Sequence, residues 1–233
     1  MQILTEAIVL HLAKYSDKAS ILHLYTMDQG RLALMVHGLH SKTGRLTAGI
    51  LEPLMHIEIE ANLQPNRTIQ TLKTAHLKYV PRQIRTDMNR RTVSMFIAEI
   101  LYRTLRYPLS DPLLFQYLTN LIYQLDCTPN PENLHLQFLL NFMQYIGISP
   151  DLSGDEPWLD MQDGELTPIR PKHSQYFTEE ETALLKSMET TEEILVSRTL
   201  RQTLLHKLCQ YYELHIADFR QPKSLQVLET LFD

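Results

Sequence analysis

The first 80 residues show the alternation of apolar and polar positions that is typical of β-strands. At residues 52–60, Met55, Ile57 and Ile59 share one face, and the side chains between them are polar. Four further strands are predicted at residues 2–11, 20–27, 31–37 and 69–76, with a tight Asp-Gln-Gly turn at residues 28–30. Five short strands that mostly need no connecting helix predict a small antiparallel barrel. An oligonucleotide-binding (OB) fold is the leading prediction, and an SH3-like barrel is the alternative.

From about residue 83 the apolar positions follow helical spacing instead. A first helix is expected to stop before Pro108, because proline cannot continue a helix. Asp111-Pro112 then supplies an N-cap and a proline at the first helical position. Asn130-Pro131 repeats this arrangement for a third helix, which Gly147 ends.

Residues 148–175 interrupt the helical pattern with a concentration of proline and glycine. Their only expected regular element is a short hairpin within residues 158–169. Helices then resume at two capping boxes, the second of which is expected to open a long helix; the boxes pair Thr178 with Glu181 and Thr190 with Glu193. A last short helix is expected at residues 224–232.

The predicted fold class is therefore α+β, with more than one domain. An OB-fold barrel is expected at residues 1–80 and a helical domain at residues 81–233, with an irregular segment at about 148–175. No apolar run approaches the ~20 residues that a membrane span needs, and the first residues lack the basic start of a signal peptide. We therefore expect a cytoplasmic protein without a membrane span.

Charge is distributed unevenly along the chain. Residues 1–91 carry 12 Lys or Arg against 7 Asp or Glu, whereas residues 92–233 carry 10 against 20. Such a division indicates two halves that meet different partners, and chance variation is the alternative. The basic half is the candidate for nucleic acid, because phosphate backbones are bound by Lys and Arg.

Single-strand binding without sequence preference needs a positive groove along the phosphates and flat side chains on which bases stack. The loop at residues 37–45 combines cations, hydroxyl groups and glycines, and Tyr15, Tyr25 and Tyr79 are candidate stacking platforms. The candidate DNA-binding residues are Lys14, Lys18, Arg31, His40, Lys42, Arg45, Arg67, Lys73, Lys78, Arg82 and Arg85. For any one of them, a solvated surface charge is the alternative.

The sequence contains no motif of an enzyme. None of its seven glycines belongs to a phosphate-binding Gly-x-x-x-x-Gly-Lys loop, and it has no His-Glu-x-x-His zinc motif. His37 and His40 have no third ligand nearby in the sequence, and Cys127 and Cys209 match no disulfide framework or zinc spacing. We therefore expect no catalytic residue, no metal and no cofactor.

Three segments, taken in order along the chain, carry a family pattern. Gly30–Glu60, GRLALMVHGLHSKTGRLTAGILEPLMHIEIE, has a glycine turn, a basic loop and a following strand, with Glu52-Pro53 where the family has Gln-Pro. Leu134–Pro150, LHLQFLLNFMQYIGISP, has a helix with a Gly-x-x-Pro exit, and Phe219–Leu228, FRQPKSLQVL, closes the chain. Together they resemble the RecO family of DNA-repair and recombination mediators, over nearly the whole chain.

This resemblance implies a bacterial protein that binds single-stranded DNA, with duplex DNA as a further candidate. It implies annealing of complementary strands coated with single-strand-binding protein (SSB) and, together with RecR, loading of the recombinase RecA. A protein-only adaptor, whose barrel docks repair proteins without touching DNA, is the alternative function.

The resemblance also implies that the helical domain receives the acidic C-terminal tail of SSB. Such a tail needs an apolar pocket for its aromatic end and a cation for its carboxylates. Arg103 and Arg106 are the only Lys or Arg between Thr92 and Ile169, which makes them the candidate partner-binding residues. Salt bridges on the helix surface are the alternative.

The sequence departs from the family pattern in one segment. Many members follow the Gly-x-x-Pro exit with two Cys-x-x-Cys pairs that bind zinc. Residues 151–174 contain no cysteine, and His173 is the only imidazole there. Because structural zinc needs four such ligands, we expect no zinc and expect packing around Trp158 to hold this segment.

Overall fold

A computed structural model describes residues 1–39, 48–190 and 196–231 of the chain, which divides into two compact units. The first unit is Met1–Pro129 and the second is Asn130–Asp233. The division expected between residues 80 and 81 separates the strands from the helices inside the first unit, and as a domain boundary it stays a prediction.

Five strands of the first unit close into a barrel: β1 (Gln2–Lys14), β2 (Ala19–Thr26), β3 (Gly30–His37), β4 (His56–Asn62) and β5 (Ile69–Leu77). Their order around the barrel is β1-β2-β3-β5-β4. Neighbouring strands are antiparallel except β3 and β5, which are parallel. This topology confirms the predicted OB fold over the SH3-like alternative.

Strand β1 closes the barrel because it pairs on both sides. Its first half pairs with β4 and its second half with β2, and the register of the second pairing shifts between Val9 and His11. A bulge of this kind bends a strand, so one strand can serve both sides of a small barrel. Met55, Ile57 and Ile59 are buried, as their alternation predicted.

Three helices complete the first unit: α1 (Gln83–Thr86), α2 (Met88–Thr104) and α3 (Pro112–Cys127). Asp111 caps α3 as predicted, because its carboxylate accepts from the amides of Leu113 and Leu114. The segment between α2 and α3 packs on the barrel, where the Asp111 amide donates to the Tyr25 hydroxyl at 3.0 Å.

Gly30 makes this approach of the α2–α3 segment to the barrel possible. It takes the positive φ predicted for the turn, +63°. A Cβ at this position would overlap the backbone carbonyl of Leu109. The absence of a side chain at Gly30 therefore serves the hairpin turn and the close approach together.

A buried carboxylate joins the end of the barrel to the helices. Asp126, which is 4% exposed, accepts from the backbone amides of Arg82, Gln83 and Ile84 at 2.7–3.0 Å and from the hydroxyl of Tyr79 at 2.8 Å. Burial alone would raise the pKa of Asp126, but these hydrogen bonds hold it below its ordinary value. The carboxylate thus fixes the start of α1 against the end of α3.

The second unit contains α4 (Leu134–Ile146), α5 (Glu179–Thr190), α6 (Arg198–His215) and α7 (Ser224–Leu231). Gly147 ends α4 in the left-handed conformation, and Thr178 and Glu181 form their capping box, both as predicted. Two predicted helix starts were wrong. Asn130 makes no cap, because residues 131–133 form a 3-10 turn before α4, and α6 begins at Arg198 with Ser197 as its N-cap. Thr190 ends α5 instead of opening the long helix, and Glu193, its predicted partner in the capping box, lies outside the described residues.

The irregular segment between α4 and α5, which lacks the zinc-binding cysteines of the family pattern, forms a small three-stranded sheet. Its strands are β6 (Trp158–Asp160), β7 (Leu166–Thr167) and β8 (Tyr176–Phe177), in the order β7-β6-β8. The β6–β7 pairing confirms the predicted hairpin. Trp158 packs edge-on against Tyr176 at 5.5 Å, and His173 Nε2 lies 2.9 Å from Asp160 Oδ2. Side-chain packing and hydrogen bonds therefore hold this sheet.

Neither a membrane span nor a cluster of metal ligands occurs among the described residues. None of the helices there is both long enough and apolar enough to cross a membrane. Within the same ranges, no three His, Cys, Asp or Glu side chains come together as metal ligands.

Gly30→Ala is expected to lower the free energy of unfolding by roughly 3–5 kcal/mol, because it combines left-handed strain with an overlap on the Leu109 backbone. Urea unfolding measures this loss. Gly38→Ala is the matched control: its φ is +74°, but a Cβ there has no neighbour within 4 Å, so it should cost only about 1–2 kcal/mol. Equal losses in the two variants would contradict this account of Gly30.

Asp126→Asn is expected to lower the free energy of unfolding by roughly 2–4 kcal/mol, because an amide cannot accept all four hydrogen bonds and turns donors toward backbone amides. Asp87→Asn is the control. Asp87 caps α2 by accepting from the amides of Asn89 and Arg90, and its other oxygen lies 3.7 Å from Arg90 Nε; since asparagine caps a helix about as well as aspartate, its replacement should cost less than about 1 kcal/mol. The reverse order of the two variants in urea unfolding would refute the joining role of Asp126.

Candidate nucleic-acid interface

A groove opens at the end of the barrel where the β1–β2 turn meets the end of β3. Its volume is about 490 Å³, and the described residues that line it are Asp17, Lys18, Ala19, Ser20, Val36, His37, Gly38 and Leu39. The Gly38 amide donates to the Lys18 carbonyl at 3.4 Å, and the positive φ of Gly38 turns the chain there. We call this feature the barrel-end groove.

One predicted cation, Lys18, lines this groove, and a second cation and one predicted stacking platform border it. The second cation, Lys14, is the last residue of β1. Lys14 Nζ lies 2.9 Å from Asp17 Oδ1, but both side chains are largely exposed. Such a pair is weak in water, so it leaves Lys14 available to a phosphate. Tyr15 is 65% exposed and follows Lys14 directly.

Three candidate residues, His40, Lys42 and Arg45, lie outside the described residues, and their predicted role stays a prediction. Arg82 and Arg85 are exposed at the start of α1. The guanidinium of Arg85 lies beside Gly49, 3.3 Å from the position that a Cβ of residue 49 would occupy. In the sequence, the stretch that carries Lys42 and Arg45 therefore lies between two described residues. These are Leu39, which lines the barrel-end groove, and Gly49, which lies beside Arg85.

Lys73 and Lys78 lie elsewhere on the barrel, among carboxylates. Lys73 Nζ donates to Gln2 Oε1 at 2.7 Å and lies 3.6 Å from Glu60 Oε1. Lys78 Nζ lies 3.0 Å from Glu6 Oε1 and 3.6 Å from a carboxylate oxygen of Glu58. Although burial alone would raise the pKa of Glu6, Lys78 and His56 hold it below its ordinary value. The structure does not bring these two lysines to the barrel-end groove.

Arg67 stands apart on the turn between β4 and β5. Its backbone amide donates to the carbonyl of Gln64 at 3.1 Å, and its carbonyl accepts from the Gln70 side chain. Its side chain is exposed. Arg67 is not among the described residues that line the barrel-end groove, and its role in nucleic-acid contact stays a prediction.

Arg31 packs against helix α2. Its guanidinium carbon lies 4.3 Å from the centre of the Tyr102 ring, and its Nη1 donates to the Tyr102 carbonyl at 3.4 Å. Arg31, Tyr102, Arg103 and Arg106 line a shallow cleft of about 360 Å³. Arg103 also bonds the carboxylate of Glu99 at 2.5–3.0 Å. The structure therefore joins a predicted DNA-binding residue to both predicted partner-binding residues, a grouping that sequence spacing did not predict.

Two of the three predicted stacking platforms are engaged within the first unit. Tyr25 is 1% exposed, so the prediction that it stacks on bases was wrong; its hydroxyl accepts from the amide of Asp111. Tyr79 donates to Asp126 and packs against Tyr123 at 6.1 Å. Burial, followed by the hydrogen bond to Asp126, raises the pKa of Tyr79 above its ordinary value. Tyr15 remains the exposed platform among the three.

Sequence reasoning missed two histidines around Tyr102. The rings of His11 and His23 lie 4.8 Å and 5.1 Å from it. Burial and the nearby Arg31 cation lower the pKa of both imidazoles, that of His23 to about 4. The two histidines come from neighbouring strands, so only the β1–β2 register, which pairs them, could have pointed to this cluster.

Comparison with known proteins gives a consistent family match. Residues 1–80 match the family described as "Recombination protein O N terminal", and residues 85–156 match "Recombination protein O C terminal". Proteins named "DNA repair protein RecO" are similar over nearly their whole length. Those of Bacteroides fragilis and Phocaeicola vulgatus are 35% and 34% identical, with 98% of each chain covered, and that of Porphyromonas gingivalis is 31% identical, with both chains covered completely.

We expect His23 to titrate near pH 4 in an NMR pH titration of the imidazole protons. The folded state favours neutral His23. The contribution of His23 to stability therefore declines as the pH falls from 6.5, the ordinary pKa of histidine, to about 4, its pKa in the folded protein. Arg31→Gln removes one cation, so the pKa of His23 should rise while burial keeps it below 6.5. Lys73→Gln should leave the midpoint of His23 unchanged. A midpoint that Arg31→Gln does not move would contradict the assigned cause.

Proposed function

The chain belongs to the recombination protein O (RecO) family and has a role in DNA repair, and from this premise we propose that it acts as a mediator that binds single-stranded DNA. The observation that carries the proposal is the barrel-end groove. Lys18 lines this groove. Lys14 and the exposed Tyr15 border it, because Lys14 pairs with Asp17 and the Tyr15 amide donates to the carbonyl of Ala19, and both of these partners line the groove. Cations that follow phosphates and a flat ring are the elements of single-strand binding without sequence preference.

Annealing of complementary strands is the activity that fits such a surface. A mediator that anneals must reduce the repulsion between two strands and then release the product. Exposed cations do this through counterion release, which weakens steeply as the salt concentration rises. One exposed tyrosine supplies little stacking, so binding of modest affinity is expected.

The proposed partners follow from family membership. We propose that the protein anneals strands coated with SSB, contacts the C-terminal tail of SSB, acts with RecR and thereby helps to load RecA. Single-stranded DNA is the main proposed ligand and duplex DNA a second one. The proposed location is the bacterial cytoplasm, with association with the nucleoid during repair.

A protein-only adaptor is the second candidate function. The observation that favours it is the engagement of barrel cations with groups of the barrel itself, as in the pairing of Lys78 with Glu6 and of Lys73 with Glu60. Such pairs lower the positive potential of the barrel. Charge reversal at Lys42 and Arg45 separates the two functions, because loss of DNA binding with intact partner binding favours the mediator.

The double variant Lys14→Gln/Lys18→Gln is expected to weaken binding of a labelled oligonucleotide about tenfold at low salt. It should also reduce the slope of log affinity against log salt by about 0.7 for each phosphate that is no longer neutralised. Fluorescence anisotropy across a salt series measures both quantities.

Lys73→Gln/Lys78→Gln is the matched control, because it removes the same charge from residues that already face carboxylates. Its effect should be small. Equal weakening in the two double variants would mean that net charge alone, not the barrel-end groove, governs binding. A wild-type protein that does not retain single-stranded DNA at low salt would rule out the mediator function.

A further inference from the structure

Arg31 is a cation without a carboxylate partner among the described residues. It packs there on the ring of Tyr102 and donates to the carbonyl of the same residue, and neither group carries a negative charge. Burial lowers the pKa of Arg31 to about 10, so the side chain is still charged at neutral pH. A partly buried charge with no opposite charge beside it is costly unless something else compensates it.

The compensation can come from outside the protein, because Arg31 lines an open cleft. Tyr102, Arg103 and Arg106 form the rest of the described lining. Arg106 is exposed, and its Nε donates to the Arg103 carbonyl at 3.0 Å, which holds the side chain beside Arg103. We call this feature the arginine cleft. Guanidinium groups offer several N–H donors in a planar fork that matches the oxygens of a phosphate.

We propose that the arginine cleft binds a backbone phosphate of the same nucleic-acid strand that occupies the barrel-end groove, so that it is a second anchor for that strand. This inference rests on the proposed single-strand binding. It assigns Arg31 and Arg106 to one phosphate site in place of the separate roles predicted from the sequence. Arg103, whose guanidinium is bonded to Glu99, holds Arg106 in place through its carbonyl.

The β2–β3 pairing connects the two anchors. Ala19 pairs with His37 at the groove end, and Tyr25 pairs with Arg31 at the cleft end. His37 lies six positions along β3 from Arg31, which corresponds to roughly 20 Å. Ile21 and Met35 pair with each other between the two ends and are half-buried. A strand of several nucleotides can therefore run along β2 and β3 and reach both anchors.

The lining of the cleft favours a phosphate over an acidic peptide. Three of its four described lining residues are arginines, and a guanidinium covers the face of the fourth, Tyr102. A peptide with an aromatic end needs an apolar pocket, and no aliphatic side chain is among these four. Tyr107 and Leu109 follow in the chain and are each 73% exposed. An acidic peptide is therefore the competing occupant that an experiment must separate from a phosphate.

The experiment compares two oligothymidylates, one of about 4 and one of about 12 nucleotides, within the range of lengths that OB folds bind. Only the longer one can reach both anchors. Arg31→Gln/Arg106→Gln is expected to weaken binding of the longer strand about tenfold and to lower its salt slope by about 0.7 for each phosphate that the variant releases. Binding of the shorter strand, held at the barrel-end groove, should not change.

Two further variants make the result interpretable. Arg106→Gln alone changes an exposed side chain, and it should weaken binding less, in the same direction. Lys73→Gln/Lys78→Gln removes two cations, as the double arginine variant does, from another part of the barrel, and it should leave the length dependence intact. Thermal unfolding of each variant reports whether the protein is folded.

The outcomes separate the two proposals. If the wild type binds both oligonucleotides and the arginine variants bind the longer one equally well, the second anchor is overturned and the mediator function stands. The second anchor is also overturned if these variants keep their DNA affinity and no longer bind a synthetic Asp-rich peptide that ends in Phe. If the wild type binds neither oligonucleotide, the mediator function fails and the second anchor fails with it.

Discussion

The buried carboxylate of Asp126 is the constraint on which the arrangement of the first unit depends. It accepts four hydrogen bonds from the segment that leaves the barrel, three from backbone amides and one from Tyr79. Arg90 reinforces the same junction, because its guanidinium donates to the carbonyls of Leu125 and Thr128 at the end of α3. One short segment of α3 thus fixes both the exit from β5 and the start of α2.

The position of α2 then decides the chemistry of one side of the barrel. Helix α2 brings Tyr102 onto the outer face of β1–β3, where it meets His11, His23 and Arg31. Burial in this cluster keeps both imidazoles neutral near pH 7, so Arg31 is the cation that the barrel contributes there. At the far end of α2, the segment toward α3 crosses Gly30 so closely that no side chain fits.

The features that the sequence predicted are those that local rules govern. Alternating apolar positions identified the barrel strands, the glycine at position 30 identified the hairpin turn, and Asp111-Pro112 identified the start of α3. The joining role of Asp126 and the packing of Arg31 on Tyr102 depend on residues more than 40 positions apart in the chain. No local pattern records such a pairing. For the same reason, Tyr25 resembled a surface platform in the sequence, although it is buried in the structure.

The same long-range interactions decide which cations are available to a ligand, so a count of charges is a poor guide to a binding surface. Lys78 and Lys14 contribute equally to the basic balance of residues 1–91. However, Lys78 lies between two carboxylates, while Lys14 has one exposed partner that solvent screens. A basic half can therefore present its usable charge in a few places only. Where such places are separated along a barrel, a ligand must be long enough to reach more than one of them, and chain length then becomes a source of selectivity.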